Sequence, residues 1–121
     1  MKGVFDTNIL IDYLNGIKKA ATEIDLYQTK IISVITQIEI LVEAKTSDDE
    51  DTIRSFLSNF EILPLSEEIA EETIQLRKAH RLKIPDAIVY ATAKTEGCLL
   101  ISRNTKDFNS DWPDLRVPYQ V

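Results

Sequence analysis

The strongest constraint on the fold is a repeated local pattern, in which short apolar runs rich in β-formers alternate with stretches of helical spacing. Val4-Phe5 leads into Ile9, Leu10, Ile11, Tyr13 and Leu14, and Lys30-Ile31-Ile32-Ser33-Val34 leads into a helix over Ile35 to Ala44. Ile62-Leu63 is cut off by Pro64 and followed by a helix that Ser66 caps, and the helix starting at Ile84-Pro85-Asp86 precedes the run Cys98-Leu99-Leu100-Ile101. This βαβ rhythm calls for a parallel sheet with helices on both faces. The expected fold class is α/β, a three-layer α/β/α arrangement around a central, mainly parallel sheet of four or five strands. The last short strand is placed at Leu115-Arg116-Val117, ended by Pro118. A chain of 121 residues is the size of one such unit, so residues 1–121 are read as a single domain.

The helices carry their own signals. Gly16 breaks the first from a second over Ile17 to Tyr27. On the third, Ile35, Ile38, Leu41 and Val42 form a face expected to pack on the sheet, with Glu39 on its shoulder. Ile40 projects from the opposite side, so a second subunit is expected to cover this helix. Asp48-Asp49-Glu50-Asp51 reads as a solvated first turn. The helix after Ser66 has Glu67, Glu68, Glu71 and Glu72 at its start and Arg77, Lys78, Arg81 and Lys83 at its end, which matches the helix dipole. His80 lies in that basic end without a nucleophile or metal-ligand partner, and is given no catalytic role. Cys98, the single cysteine, reads as a small buried hydrophobe.

The formal net charge of −6 argues against a broad basic face for nucleic acid, because such binding works by neutralising phosphates. An enzyme acting on phosphates is still compatible with it, since clustered carboxylates become a phosphate site once a divalent cation fills them. No apolar run reaches the length of a membrane span, and Met1-Lys2-Gly3 leads straight into the first strand, so a cytoplasmic protein is expected.

Acids gather where strands end. Asp6 closes the first strand, Asp86 begins a helix of small apolar residues, Asn104 and Asp107 follow the Cys98–Ile101 strand, and Glu39 lies on a sheet-facing helix. Taken alone, Asp6 and Asp86 read as ordinary helix-start residues. Taken together at the carboxyl edge of an open sheet, where ligands bind, these oxygens suit Mg²⁺ or Mn²⁺. Zinc is disfavoured by the single histidine and single cysteine. Such a cation activates water for attack on phosphorus, so the chemistry fits phosphodiester hydrolysis.

Phe5-Asp6-Thr7-Asn8, Ile38-Glu39-Ile40, Pro85-Asp86-Ala87-Ile88 with Ala91-Thr92-Ala93, and Ile101-Ser102-Arg103-Asn104-Thr105-Lys106-Asp107-Phe108 occur in this order along the chain. In these stretches the sequence resembles the PIN-domain family, and within it the VapC-like toxins of type II toxin-antitoxin pairs. The resemblance implies a Mg²⁺- or Mn²⁺-dependent endoribonuclease acting on RNA, a homodimer, and a cognate VapB-like antitoxin. It places Asp6, Glu39 and Asp86 as the main carboxylates, with Asn104 or Asp107 completing the site and Thr7, Ser102 and Arg103 supporting it. Many relatives carry an acid where this chain has Asn104. Arg103 and Lys106 flank the site and are candidates to meet RNA phosphate. Two other readings stay open: an aspartyl-phosphate phosphatase using Asp6, which has Asn8 where a second acid is usual, and a PIN-fold binding module with weak or no catalysis.

Overall fold

Every strand pairing is parallel, as the alternation of strands and helices requires. The computed structural model describes residues 1–121. Its elements in chain order are β1 (Lys2–Phe5), α1 (Thr7–Leu14), α2 (Lys18–Asp25), β2 (Thr29–Ser33), α3 (Val34–Leu41), α4 (Ser47–Leu57), β3 (Glu61–Leu63), α5 (Glu67–His80), α6 (Ile84–Thr95), β4 (Leu99–Ile101) and β5 (Leu115–Arg116). The five strands lie in the order β3-β2-β1-β4-β5. The chain therefore builds outward from β1 in one direction and later returns to extend the sheet on the other side. That reversal puts the crevice beyond the ends of β1 and β4, the usual ligand position in open α/β sheets. No helix is long and apolar enough to cross a membrane.

The period-two alternation of the strands sorts the core into two layers. Val4, Ile31 and Leu100 face α5 and α6, where they pack with Ile69, Leu76 and the run Ala87 to Ala91. Their neighbours Phe5, Ile32 and Ile101 face the other way, against Ile9, Leu10, Ile24, Ile40, Leu57 and Phe60. On that second face Phe5 meets Tyr27 and Phe60 edge-on, at centroid distances of 5.0 and 5.8 Å. The helix ends follow local rules at most positions. Ser33, Thr46 and Ser66 each accept an N–H of the first turn they precede, and α4 and α5 open with acids.

The third helix corrects one expectation. Thr36 and Ile40 are buried, whereas Ile38 and Val42 are 53% and 71% exposed. An apolar helix only two turns long offers no clear polar face, so periodicity chose the wrong stripe. Thr36, the polar residue on the buried side, hid the true one. Cys98 is half-buried rather than fully enclosed.

Two buried acids that carry no motif hold the helical layer to the rest of the chain. On α2, Glu23 accepts from Arg116 Nε and Nη2 of β5, at 2.5 and 2.9 Å, and from the Tyr27 hydroxyl at 2.7 Å. Burial pushes the Glu23 carboxyl up, but the hydrogen bonds from Arg116 and Tyr27 outweigh it and hold the group below its usual value. On α1, Asp12 takes a bidentate bond from Arg103, at 2.6 and 2.9 Å, and a 2.7 Å bond from Tyr119. The turn after α5 is held differently. Arg81 adopts the left-handed conformation (φ 56°, ψ 30°), the only non-glycine residue with positive φ, at a cost of about 1 kcal/mol relative to glycine.

Gly3 is enclosed where β1 is flanked by β2 and β4. A Cβ there would overlap the Ile101 side chain and approach Tyr27 to within 2.9 Å. Gly3→Ala is expected to cost about 1–3 kcal/mol in denaturant unfolding, because core atoms must shift to admit the methyl. Glu23 gives a pH signature. A carboxyl held below its unfolded pKa contributes stability above about pH 4 and loses it as the pH falls further. Arg116→Met is expected to lower stability at pH 7 by on the order of 2 kcal/mol and to flatten the acid limb of the melting profile below about pH 4.

Candidate metal centre at the carboxyl edge of the sheet

The site is built on the junction between β1 and β4. The backbone N–H of Asp6 donates to the Ile101 carbonyl at 2.9 Å, so Asp6 leaves β1 still tied to the neighbouring strand. Its side chain is 6% exposed and fully engaged. Oδ1 accepts the Thr7 backbone N–H at 2.8 Å, and Oδ2 accepts the Ser102 hydroxyl at 2.7 Å and the Asn8 amide at 3.2 Å. Asp6 is thus itself the N-cap of α1, and capping and site geometry fall on one side chain. Burial pushes its pKa up; Ser102, Thr7 and Asn8 oppose that, while the charge of Glu39 adds to it.

The other acids arrive from separate elements. Glu39 stands on the exposed side of α3, where the Thr7 hydroxyl donates to its Oε1 at 2.7 Å. Asp86 lies in the first turn of α6, behind Pro85. Its carboxyl is pushed up to about 6, first by burial and then by the negative charges of Asp6, Asp107 and Glu39, with Lys83 partly offsetting them. Asp86 is therefore within reach of the other three carboxylates named from the sequence, across the same edge. Asn104 is turned onto Asp107: its amide donates to Asp107 Oδ2 at 3.1 Å, and its carbonyl accepts the Asp107 N–H at 3.2 Å. Of this pair, Asp107 presents the charged oxygen and Asn104 holds it in place.

Two residues differ from their expected roles. The Arg103 guanidinium is drawn back onto Asp12 and lies over the Tyr119 ring, 5.9 Å from its centroid, so it braces the site loop instead of reaching for phosphate. Asn8, which carried no site role in the sequence, links three parts of the centre. Its amide bonds both Asp6 and Ser102, and its carbonyl accepts the Arg103 N–H at 3.1 Å. Its place two residues after a strand-ending acid was the only available signal. His80 lies outside this set and rests on Trp112, ring centroids 4.5 Å apart.

No three His, Cys, Asp or Glu side chains converge closely enough to hold one ion between them. An open set of oxygens still fits Mg²⁺ or Mn²⁺, which keep several waters and need only one or two carboxylates plus substrate phosphate oxygens. The excess charge that raises Asp86 is what such a cation would neutralise. A cavity of about 980 Å³ lies elsewhere, lined in part by Glu68, Glu71, Lys94 and Asp114, and contains none of the named site residues.

Comparison with known proteins agrees with this architecture. The family model described as PIN domain matches residues 3–110. A chain of a toxin-antitoxin complex from Klebsiella pneumoniae is 41% identical, with a TM-score of 0.92 over 99% of this chain and 100% of that one. VapBC2 from Rickettsia felis, bound to a DNA fragment from its promoter, matches at 22% identity and TM-score 0.79, over 89% of this chain and 91% of that one. DNA-bound VapBC from Salmonella typhimurium matches at 22% and 0.80, over 96% of each chain; at this level of identity both speak for the fold alone. No match is found among curated protein sequences. With a parallel sheet ordered β3-β2-β1-β4-β5, acids gathered at its switch point and a family model spanning most of its length, the chain belongs to the PIN domain family.

Proposed function

We propose that this protein is a Mg²⁺- or Mn²⁺-dependent endoribonuclease and the toxin of a VapBC-type pair. The observation that carries the reading is the placement of Asp6, Glu39, Asp86 and Asp107 at one sheet edge, where Asp86 lies within reach of the charges of the other three. Clustered acids destabilise a fold unless a cation or protons intervene, so their retention favours a function. One or two of Asp6, Glu39, Asp86 and Asp107, with waters and substrate phosphate oxygens, would hold the cation. A cation bound there would supply Lewis acidity, making water more acidic and offsetting negative charge on the phosphoryl group.

The chain's own contribution is orientation. Ser102, Asn8 and the Thr7 N–H fix both Asp6 oxygens, the Thr7 hydroxyl aims Glu39, and Asn104 aims Asp107. This arrangement disfavours Asp6 as a phosphatase nucleophile, because both its oxygens are occupied and the side chain is enclosed. The toxin role draws on the 41% identical chain from a toxin-antitoxin complex. A VapB-like antitoxin and a second copy of the chain are the partners we assign. Ile38 and Val42 on α3, with Ile11 on α1, provide uncovered apolar area for such contacts.

With RNA and Mn²⁺, the wild-type protein is expected to leave 5′-phosphate and 3′-hydroxyl ends, and Asp6→Ala or chelation is expected to lower the rate at least about 100-fold. Cleavage that survives both would sink the mechanism. Thermal melting gives an independent readout: in chelator, Asp86→Asn is expected to be more stable than wild type by about 1 kcal/mol after allowance for solvent screening, since it removes one of the crowded charges. Mn²⁺ should raise the melting temperature of wild type and have little effect on that variant.

A further inference from the structure

The turn between α5 and α6 breaks two local rules, and both breaks keep a cation. Arg81 occupies the left-handed position that follows the last turn of α5, where glycine is the usual residue because it has no Cβ to strain. Lys83 is the N-cap of α6, yet it makes no side-chain cap bond and puts positive charge at the positive end of the helix dipole. Elsewhere in the fold the caps are Asp6, Ser33, Thr46 and Ser66, all with side-chain bonds, save for Ile17 at α2. The dipole of α5 favours Lys78, His80 and Arg81 at its end, but that of α6 opposes Lys83 at its start, and no dipole requires the left-handed strain at Arg81.

Neither residue is held in an ion pair, although the charge of Lys83 acts on Asp86. The ion pairs of the fold take up Lys2, Arg54, Lys94, Arg103 and Arg116. Arg77 spends its guanidinium on the carbonyls of Arg81 and Leu82, at 3.3 and 2.7 Å, and so clamps the turn in its strained form. Lys78, Arg81 and Lys83 are exposed and outside these pairs, as are Lys18, Lys19, Lys45 and Lys106, but only the first three cluster on one turn. The turn adjoins the candidate site through α6. Asp86 lies in the helical turn that Lys83 begins, and His80 packs on Trp112, which lies near Phe108 next to Asp107.

Local rules are broken where function outweighs stability. The geometry points to the α5–α6 turn, through Lys78, Arg81 and Lys83, as a seat for the phosphate backbone of single-stranded RNA beside the acidic edge. The assignment rests on the ribonuclease reading and says how a protein of net charge −6 retains a polyanion. A local cationic ledge offsets the repulsion from the carboxylates. Exposed His80, backed by Trp112, adds a ring on which a base can stack.

The test follows a fluorescent, mixed-sequence single-stranded RNA of about 12 nucleotides by anisotropy, as a function of salt, with Mn²⁺ or EDTA. Wild type is compared with Arg81→Gly, Lys83→Ser and the control Lys30→Gln, which lies on β2 near the opposite edge of the sheet. Each of the first two is expected to weaken binding about 3- to 10-fold and to reduce the slope of log affinity against log salt by about 0.7–1. Arg81→Gly should melt higher than wild type while binding RNA less well, a combination that a purely structural role does not produce. The control should bind as wild type does. Unchanged affinity and salt slope in both variants, with wild type binding RNA, would overturn the assignment and leave the ribonuclease reading standing. Absence of both RNA binding and RNA cleavage by wild type in Mn²⁺ would overturn both. If the variants lose binding to poly-glutamate but keep RNA, the turn serves an acidic protein segment and the RNA assignment falls.

Discussion

The structure depends on keeping Asp6 in place. Its carboxylate is buried at the end of β1, beside three other acids, where neither burial nor neighbouring charge favours ionisation. What makes the position tenable is the Ser102 hydroxyl from β4's end, the Thr7 N–H from the start of α1, and the Asn8 amide, each donating to it. The same Asn8 and Ser102 accept backbone N–H groups of Arg103 and Asn104, so the loop that carries Asn104 and Asp107 is aimed by the contacts that settle Asp6. Strand pairing, helix capping and site geometry are here one network.

A second tier of buried charge surrounds this network without joining it. Arg103 reaches from the site loop to Asp12 on α1, and Arg116 reaches from β5 to Glu23 on α2, each pair completed by a tyrosine hydroxyl. Buried pairs of this kind contribute little net stability compared with apolar replacements, but breaking one partner leaves an uncompensated charge. They tie the loop after β4, β5 and the C-terminal segment to α1 and α2. The acids at the sheet edge have no such arginine partners, and that contrast sets them apart from Asp12 and Glu23.

Much of the architecture could be read from the sequence because it is written locally. Val4-Phe5-Asp6 and Ile84-Pro85-Asp86 each place an acid at an element boundary, and parallel topology turns such boundaries into one edge. What could not be read depends on distant partners or on which face of an element is covered. Arg103 looked available for phosphate because Asp12, its partner, lies 91 residues away and carries no motif. Ile38 and Ile40 exchanged their expected places because a two-turn helix that is apolar all round gives periodicity nothing to choose between. Asn8 was weighed against a phosphatase rather than for the site, since its value lies in bonds to β4's end. The strain at Arg81 was likewise hidden, as only backbone geometry shows it.

The strand order has a consequence in time as well as in space. β1 is the first element made, yet the hydroxyl that settles its terminal carboxylate belongs to Ser102, 96 residues later. Until β4 has emerged and closed onto β1, the acids on β1, α3 and α6 lack the strand that aligns them. Long-range parallel pairing of this sort is slow to form, because loop-closure entropy is lost before the contacts return it. During synthesis the acidic edge is therefore among the last features to exist, and an unfinished or partly unfolded chain carries its acids without their arrangement.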